Sequence, residues 1–257
     1  MNGIGIRLLN TLGLVLVLVV NWLANALPLN GLSTKELSDM FPVQITPAPY
    51  AFAIWGLIYA LLAVYIIVQW LPTHQDDREV VGANPWFLLS CLLNTGWLLL
   101  WHYLYTISSV FAMLGLLAAL IGAYVGTRPS GWSSEPLVRY FVQLPFSIYL
   151  GWISVATIVN VIIGLDVAGW DGFGWSETAW TVILLIVALL LGITIGWRFR
   201  DPAYPLTVAW GIAAVGVTNL GSTPVIVYTA WGAAALLVLS AIWILTGAGN
   251  VRKAVNR

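Results

Sequence analysis

Few side chains in this sequence are equipped for chemistry: His74, His102, Cys91, Lys35, Lys253 and fifteen tryptophans. The two histidines fall in a polar segment and near the far end of the third apolar stretch. They form no two-histidine metal or haem site without a large rearrangement. Both lysines lie outside the apolar stretches, which leaves no attachment point for a retinal Schiff base. A single cysteine permits no intrachain disulfide, and Cys91 reads as a small buried apolar residue. There is no P-loop, nucleophile elbow or zinc-protease helix. No catalytic residue, metal or cofactor is therefore expected.

The tryptophans carry more information. Many fit an aromatic belt at headgroup level, but Trp152 lies about 18 Å and Trp97 about 12 Å from the outer ends of their helices at 1.5 Å per residue, too deep for a belt. Helical phase groups them with polar neighbours. Phe52, Trp55 and Tyr59 share one face of the second apolar segment, and Asn94, Trp97 and Trp101 share one face of the third. On the fifth, Pro145, Tyr149, Trp152, Ala156 and Asn160 form a stripe. A buried amide is costly unless satisfied, so Asn94 and Asn160 are expected to face the interior and the three stripes one another. The plain reading is aromatic packing with asparagines as interhelical glue. The sharper reading is a pocket for a flat apolar ligand, opening outward beneath the loop from Pro28 to Pro49.

The elements that must position these residues follow from composition. The chain has 257 residues, 60% hydrophobic and 8% charged, with a mean hydropathy of +0.92, far from the roughly 25% charged usage of soluble domains. Its formal net charge of zero gives no acidic or basic excess, so no nucleic-acid partner is expected. Eight segments are long and apolar enough to cross a bilayer: Leu8 to Leu27, Tyr50 to Leu71, Trp86 to Tyr105, Ile107 to Thr127, Tyr140 to Gly164, Thr178 to Trp197, Tyr204 to Leu220 and Val225 to Thr246. The third and fourth are expected to form a hairpin turning near Thr106 to Ser108, and Pro72 to Pro85 to form an aqueous inner loop. The fold class is thus all-α, a polytopic transmembrane bundle.

Eight spans place Arg7, Arg78, Arg128, Arg139, Arg198, Arg200, Arg252, Lys253 and Arg257 on one side and leave Lys35 alone on the other. By the positive-inside rule both termini are then cytoplasmic. A rival reads the first segment, with Ala24-Asn25-Ala26, as a cleaved signal peptide, leaving seven spans. No span interior carries Asp, Glu, Lys or Arg, which argues against an ion-coupled pump. The pairs Gly122 with Gly126 and Gly192 with Gly196 permit close helix contact, either within the chain or at a homodimer seam.

Three motifs in order carry a family resemblance. Pro47-Ala48-Pro49-Tyr50-Ala51-Phe52 leads to Trp55 and Tyr59; Leu93-Asn94-Thr95-Gly96-Trp97 follows; Tyr149, Trp152, Ala156 and Asn160 close the series. Together they resemble the translocator protein family, also called TspO or tryptophan-rich sensory proteins, over approximately residues 8 to 165. The resemblance implies a five-helix core, residues 1–170, that binds porphyrins, sterols or synthetic ligands. Residues 171–257 would add three spans and a basic tail without counterpart in the short members. By resemblance, Trp55, Asn94, Trp152 and Ala156 correspond to pocket positions. The sterol-recognition pattern at the end of the fifth helix is absent. The resemblance implies a receptor, sensor or carrier for a porphyrin-like molecule in a prokaryotic plasma membrane. A porphyrin photo-degrading enzyme and a permease subunit are the alternatives. The three extra spans, rich in small residues, are expected to pack on the core and support it.

Overall fold

The computed structural model describes residues 3–27, 29–32, 37, 40, 41 and 43–255; the side chains of Asn25 and residues 248–255 lie outside that description. Lys35 and seven other residues of the first outer loop therefore also lie outside the described residues. Eight long helices make up the described chain: α1 (Gly3–Ala26), α2 (Ile54–Trp70), α3 (Arg78–His102), α4 (Thr106–Gly126), α5 (Leu144–Val167), α6 (Glu177–Phe199), α7 (Ala203–Thr218) and α8 (Pro224–Val255). Among the described residues, six helical segments are long and apolar enough to cross a membrane. The other two helices are α3, whose apolar run is diluted by Asn84, Asn94 and His102, and α7, which has only 16 residues.

Side-chain contacts sort the connections into two ends. Arg7 of α1 donates to Gln75, His74 meets Glu135, and Arg128 lies beside Asp201, so the α2–α3, α4–α5 and α6–α7 connections share one end. This is the basic end. At the other, Gln44 bonds to Thr178, Thr223 and Asn219, which brings together the α1–α2, α5–α6 and α7–α8 connections. Large apolar side chains remain exposed along the outer faces, Leu12 at 63% and Leu245 at 60% among them, as expected where lipid replaces water.

Three local features differ from the sequence reading. The third helix starts at Arg78 and runs through Pro85, whereas Pro72 to Pro85 was expected to be a loop. Pro85 is the eighth residue of α3, inside the helix, and lacking an N–H it forfeits the backbone bond to the Val81 carbonyl. The α3–α4 turn comprises Tyr103 to Tyr105, earlier than expected, with Leu104 in the left-handed region at φ 61°. The chain enters α5 through a short helical turn, Pro136–Val138, and a π turn, Arg139–Gln143, in which the Leu144 amide bonds the Arg139 carbonyl. Pro145 lacks an N–H, and the extra residue of the π turn sets the phase of the helix behind it.

Glycines bring the helices together inside the chain. A Cβ on Gly82 would lie 2.2 Å from the Gly126 carbonyl oxygen, and one on Gly122 would lie 2.4 Å from the Trp86 ring. Gly192 faces Leu237 and Gly196 faces Pro205. These pairs are thus taken up by packing within the chain. The C-terminal helices join the rest of the bundle in the same way, with Gly151 of α5 against Thr207 of α7 and Gly211 of α7 against Val155 of α5.

Candidate functional site

The aromatic stripes of α2 and α5 converge. The Trp55 ring stacks on Tyr59 at 5.3 Å and meets Tyr149 and Trp152 edge-on at 5.8 and 6.4 Å. Phe52, from the 3-10 turn Pro49–Ala53 that opens α2, packs edge-on against Trp152 at 5.7 Å. These are favourable offset and edge-to-face geometries. The third stripe joins through a hydrogen bond: the Asn94 amide of α3 donates to the Tyr149 hydroxyl at 3.0 Å. Asn21 of α1 donates to the Asn94 oxygen at 3.2 Å, so α1, α3 and α5 meet at one amide. Asn21 escaped the sequence reading because one amide in a long apolar run has no partner visible in sequence.

The remaining expected residues are placed differently. Trp97 and Trp101 stack on each other at 6.4 Å, and Trp101 meets Phe41 of the first loop at 5.4 Å. Asn160 turns to α4 and donates to Ser109 at 3.1 Å, away from the ring cluster. Ala156 is half-buried against the core. Two indole nitrogens in this region, Nε1 of Trp152 and Nε1 of Trp97, are buried without an acceptor. An unpaired buried donor costs free energy, so both would gain from a ligand acceptor. The rings of Trp55, Tyr59, Tyr149 and Trp152 pack against one another there, so admitting a large flat molecule would require them to part.

An open groove of about 540 Å³ lies elsewhere, between α2, α5 and α7, lined by Ile54, Leu57, Leu144, Ile148, Leu206 and Trp210 among others. It is almost wholly apolar. Trp210, which walls it, donates from its indole to the Ala51 carbonyl at 3.0 Å and meets Tyr50 edge-on, tying α7 to the start of α2.

A second polar centre is buried at the basic end. The Asp201 carboxylate of the α6–α7 turn accepts from Tyr124 at 2.9 Å and Ser147 at 2.6 Å, and from the backbone amides of Ala203 and Tyr204. Arg128 lies 3.6 Å away; its two terminal nitrogens donate to the Tyr124 and Gln143 carbonyls, Thr127 and Ser147, while its buried Nε has no partner among the described residues. Burial lowers the Arg128 pKa from its ordinary value, and the Asp201 charge opposes that shift. The sequence reading placed Arg128 in an aqueous loop; the structure buries it, with its charge partnered. Spacing holds no sign of the pair, because the two residues belong to connections on either side of α5 and α6.

The model of the TSPO-like protein family matches residues 7–243. The chain belongs to the TSPO-like protein family. No curated protein and no solved structure matches it. The family match runs through α6 and α7 into α8, well past the limit near residue 165 drawn from the motifs, so the C-terminal helices of this TSPO-like protein lie within the matched pattern. Membership and the apolar helices make it an integral membrane protein of a sensor or binding type.

Proposed function

We propose that this TSPO-like protein is a receptor, sensor or carrier for a flat hydrophobic ligand of porphyrin type, held among Phe52, Trp55, Tyr59, Asn94, Trp97, Trp101, Tyr149, Trp152, Ala156 and Asn160. The observation that carries the reading is Trp152. Its ring is 2% exposed, lies in contact with Phe52 and Trp55, and holds a buried N–H without an acceptor. A planar ligand with peripheral carbonyl or carboxylate groups would stack on such rings and accept from such a donor. In this reading α3 and α7 also cross the bilayer, which gives eight spans. Both termini then lie with the basic end on the cytoplasmic side of a prokaryotic plasma membrane. Residues 1–170 bind, and residues 171–257 support them.

Tryptophan fluorescence quenching by protoporphyrin in detergent tests the site. Saturable quenching that weakens in Trp152→Phe is expected. No saturation, or quenching unchanged in that variant, refutes it.

A further inference from the structure

His74 occupies the α2–α3 connection, Asp77 is the residue before α3, and Glu135 is the residue before the Pro136–Val138 turn. His74 Nδ1 lies 2.9 Å from an Asp77 carboxylate oxygen, and Nε2 lies 3.4 Å from Glu135 Oε1. Ionised carboxylates only accept, and a neutral imidazole has one N–H to give. With that proton on Nδ1 for Asp77, the Nε2 lone pair faces the Glu135 carboxylate. Two acceptors 3.4 Å apart are reconciled either by a second proton, which makes His74 an imidazolium donating to both carboxylates, or by a metal cation between them.

The spacing suits a metal. Ligand bonds of about 2.0–2.2 Å place two donors on one ion some 3 to 4 Å apart. One ligand atom from each of His74, Asp77 and Glu135 lies within 4.8 Å of the others. A carboxylate on the distal nitrogen of a ligating imidazole, the place Asp77 takes, fixes the tautomer and aims the lone pair. Nearby, Arg7 is engaged by Asp76 at 3.9 Å and by Gln75, so its charge does not neutralise Asp77. Half-exposure of Glu135 keeps the site open to solvent and to exchange.

We propose that His74 and Glu135, oriented by Asp77, bind one divalent transition-metal ion of the zinc type and so staple the α2–α3 connection to the α4–α5 connection. An imidazole ligand selects zinc, nickel or copper over magnesium and calcium. No metal is expected from sequence, where the only other histidine is His102, at the far end of α3. The partner is instead a carboxylate from another connection, invisible in spacing.

The test uses the full-length protein in detergent, titrated with Zn²⁺ in competition with a chromophoric chelator. One equivalent per chain is expected, with no competition from Mg²⁺. His74→Gln and Glu135→Gln are expected to weaken binding by more than tenfold, and Asp77→Asn by about tenfold. Zinc is also expected to raise Tm in the parent protein and not in Glu135→Gln, a half-exposed position that keeps the test readable if His74→Gln fails to fold. Absence of saturable binding, or undiminished affinity in Glu135→Gln, overturns the proposal. So does a Tm that rises as pH falls through the imidazole range without any response to zinc, which identifies a proton as the only cation between the two groups.

Discussion

Asn94 on α3 and Tyr149 on α5 are joined by a 3.0 Å hydrogen bond between two side chains that are 1% and 2% exposed. Replacing Asn94 by Leu strands the Tyr149 hydroxyl in an apolar setting, at a cost of about 1–3 kcal/mol. Adding Tyr149→Phe is expected to return part of that loss. Thermal unfolding of the two single variants and the double variant checks it, and strict additivity would contradict the coupling.

Asp201→Asn removes the carboxylate beside the buried Arg128 guanidinium. A lone buried charge is expensive, and a loss of about 3–5 kcal/mol is expected. Combining it with Arg128→Met is expected to cost less than the sum of the two. Because the pair is buried, the deficit should persist at high ionic strength, unlike that of an exposed ion pair.

Gly126→Ala drives a methyl group to 2.2 Å from the Gly82 carbonyl and forces α3 and α4 apart. A loss of at least about 1–3 kcal/mol is expected. Gly232→Ala is the control, since a Cβ there meets nothing within 4 Å and Ala favours the helix. The comparison requires only the difference in Tm between the two variants.

Gln44→Ala removes the side chain that accepts from Thr178 at 3.0 Å and donates to Thr223 at 3.4 Å. Two net hydrogen bonds are worth about 1–3 kcal/mol together. Hydrogen exchange is expected to quicken at residues 43–48 and to remain unchanged at the basic end. Uniform acceleration throughout the chain would mean that Gln44 acts on global stability instead.

Legibility in the sequence followed the physics of each signal. Apolar length marked out α1, α2, α4, α5, α6 and α8 clearly, since a spanning helix must be long and greasy. It misread the start of α3, where Arg78, Glu79 and Asn84 look like loop residues but form a helical turn outside the apolar run. Helical phase brought Trp55, Tyr149 and Trp152 together correctly, because each stripe is local. It also grouped Asn160 with them, although Ser109 of α4 captures that amide. Phase names a face and leaves the neighbour unspecified. Partnerships between connections, such as Arg128 with Asp201 or Gln44 with Thr223, depend on tertiary placement and have no periodic trace.

The Arg128 burial also imposes an order of events on biogenesis. Helices emerge from the ribosome N-terminal first. Arg128 is therefore made, and α4 and α5 inserted, before any Asp201 exists to receive it. Until the hairpin of α6 and α7 arrives, the guanidinium has its acceptors on Tyr124, Thr127 and Gln143 but no counter-charge. Delivery of Asp201 supplies one. A chain halted before the sixth helix would keep the aromatic rings but leave the charge beneath them unanswered.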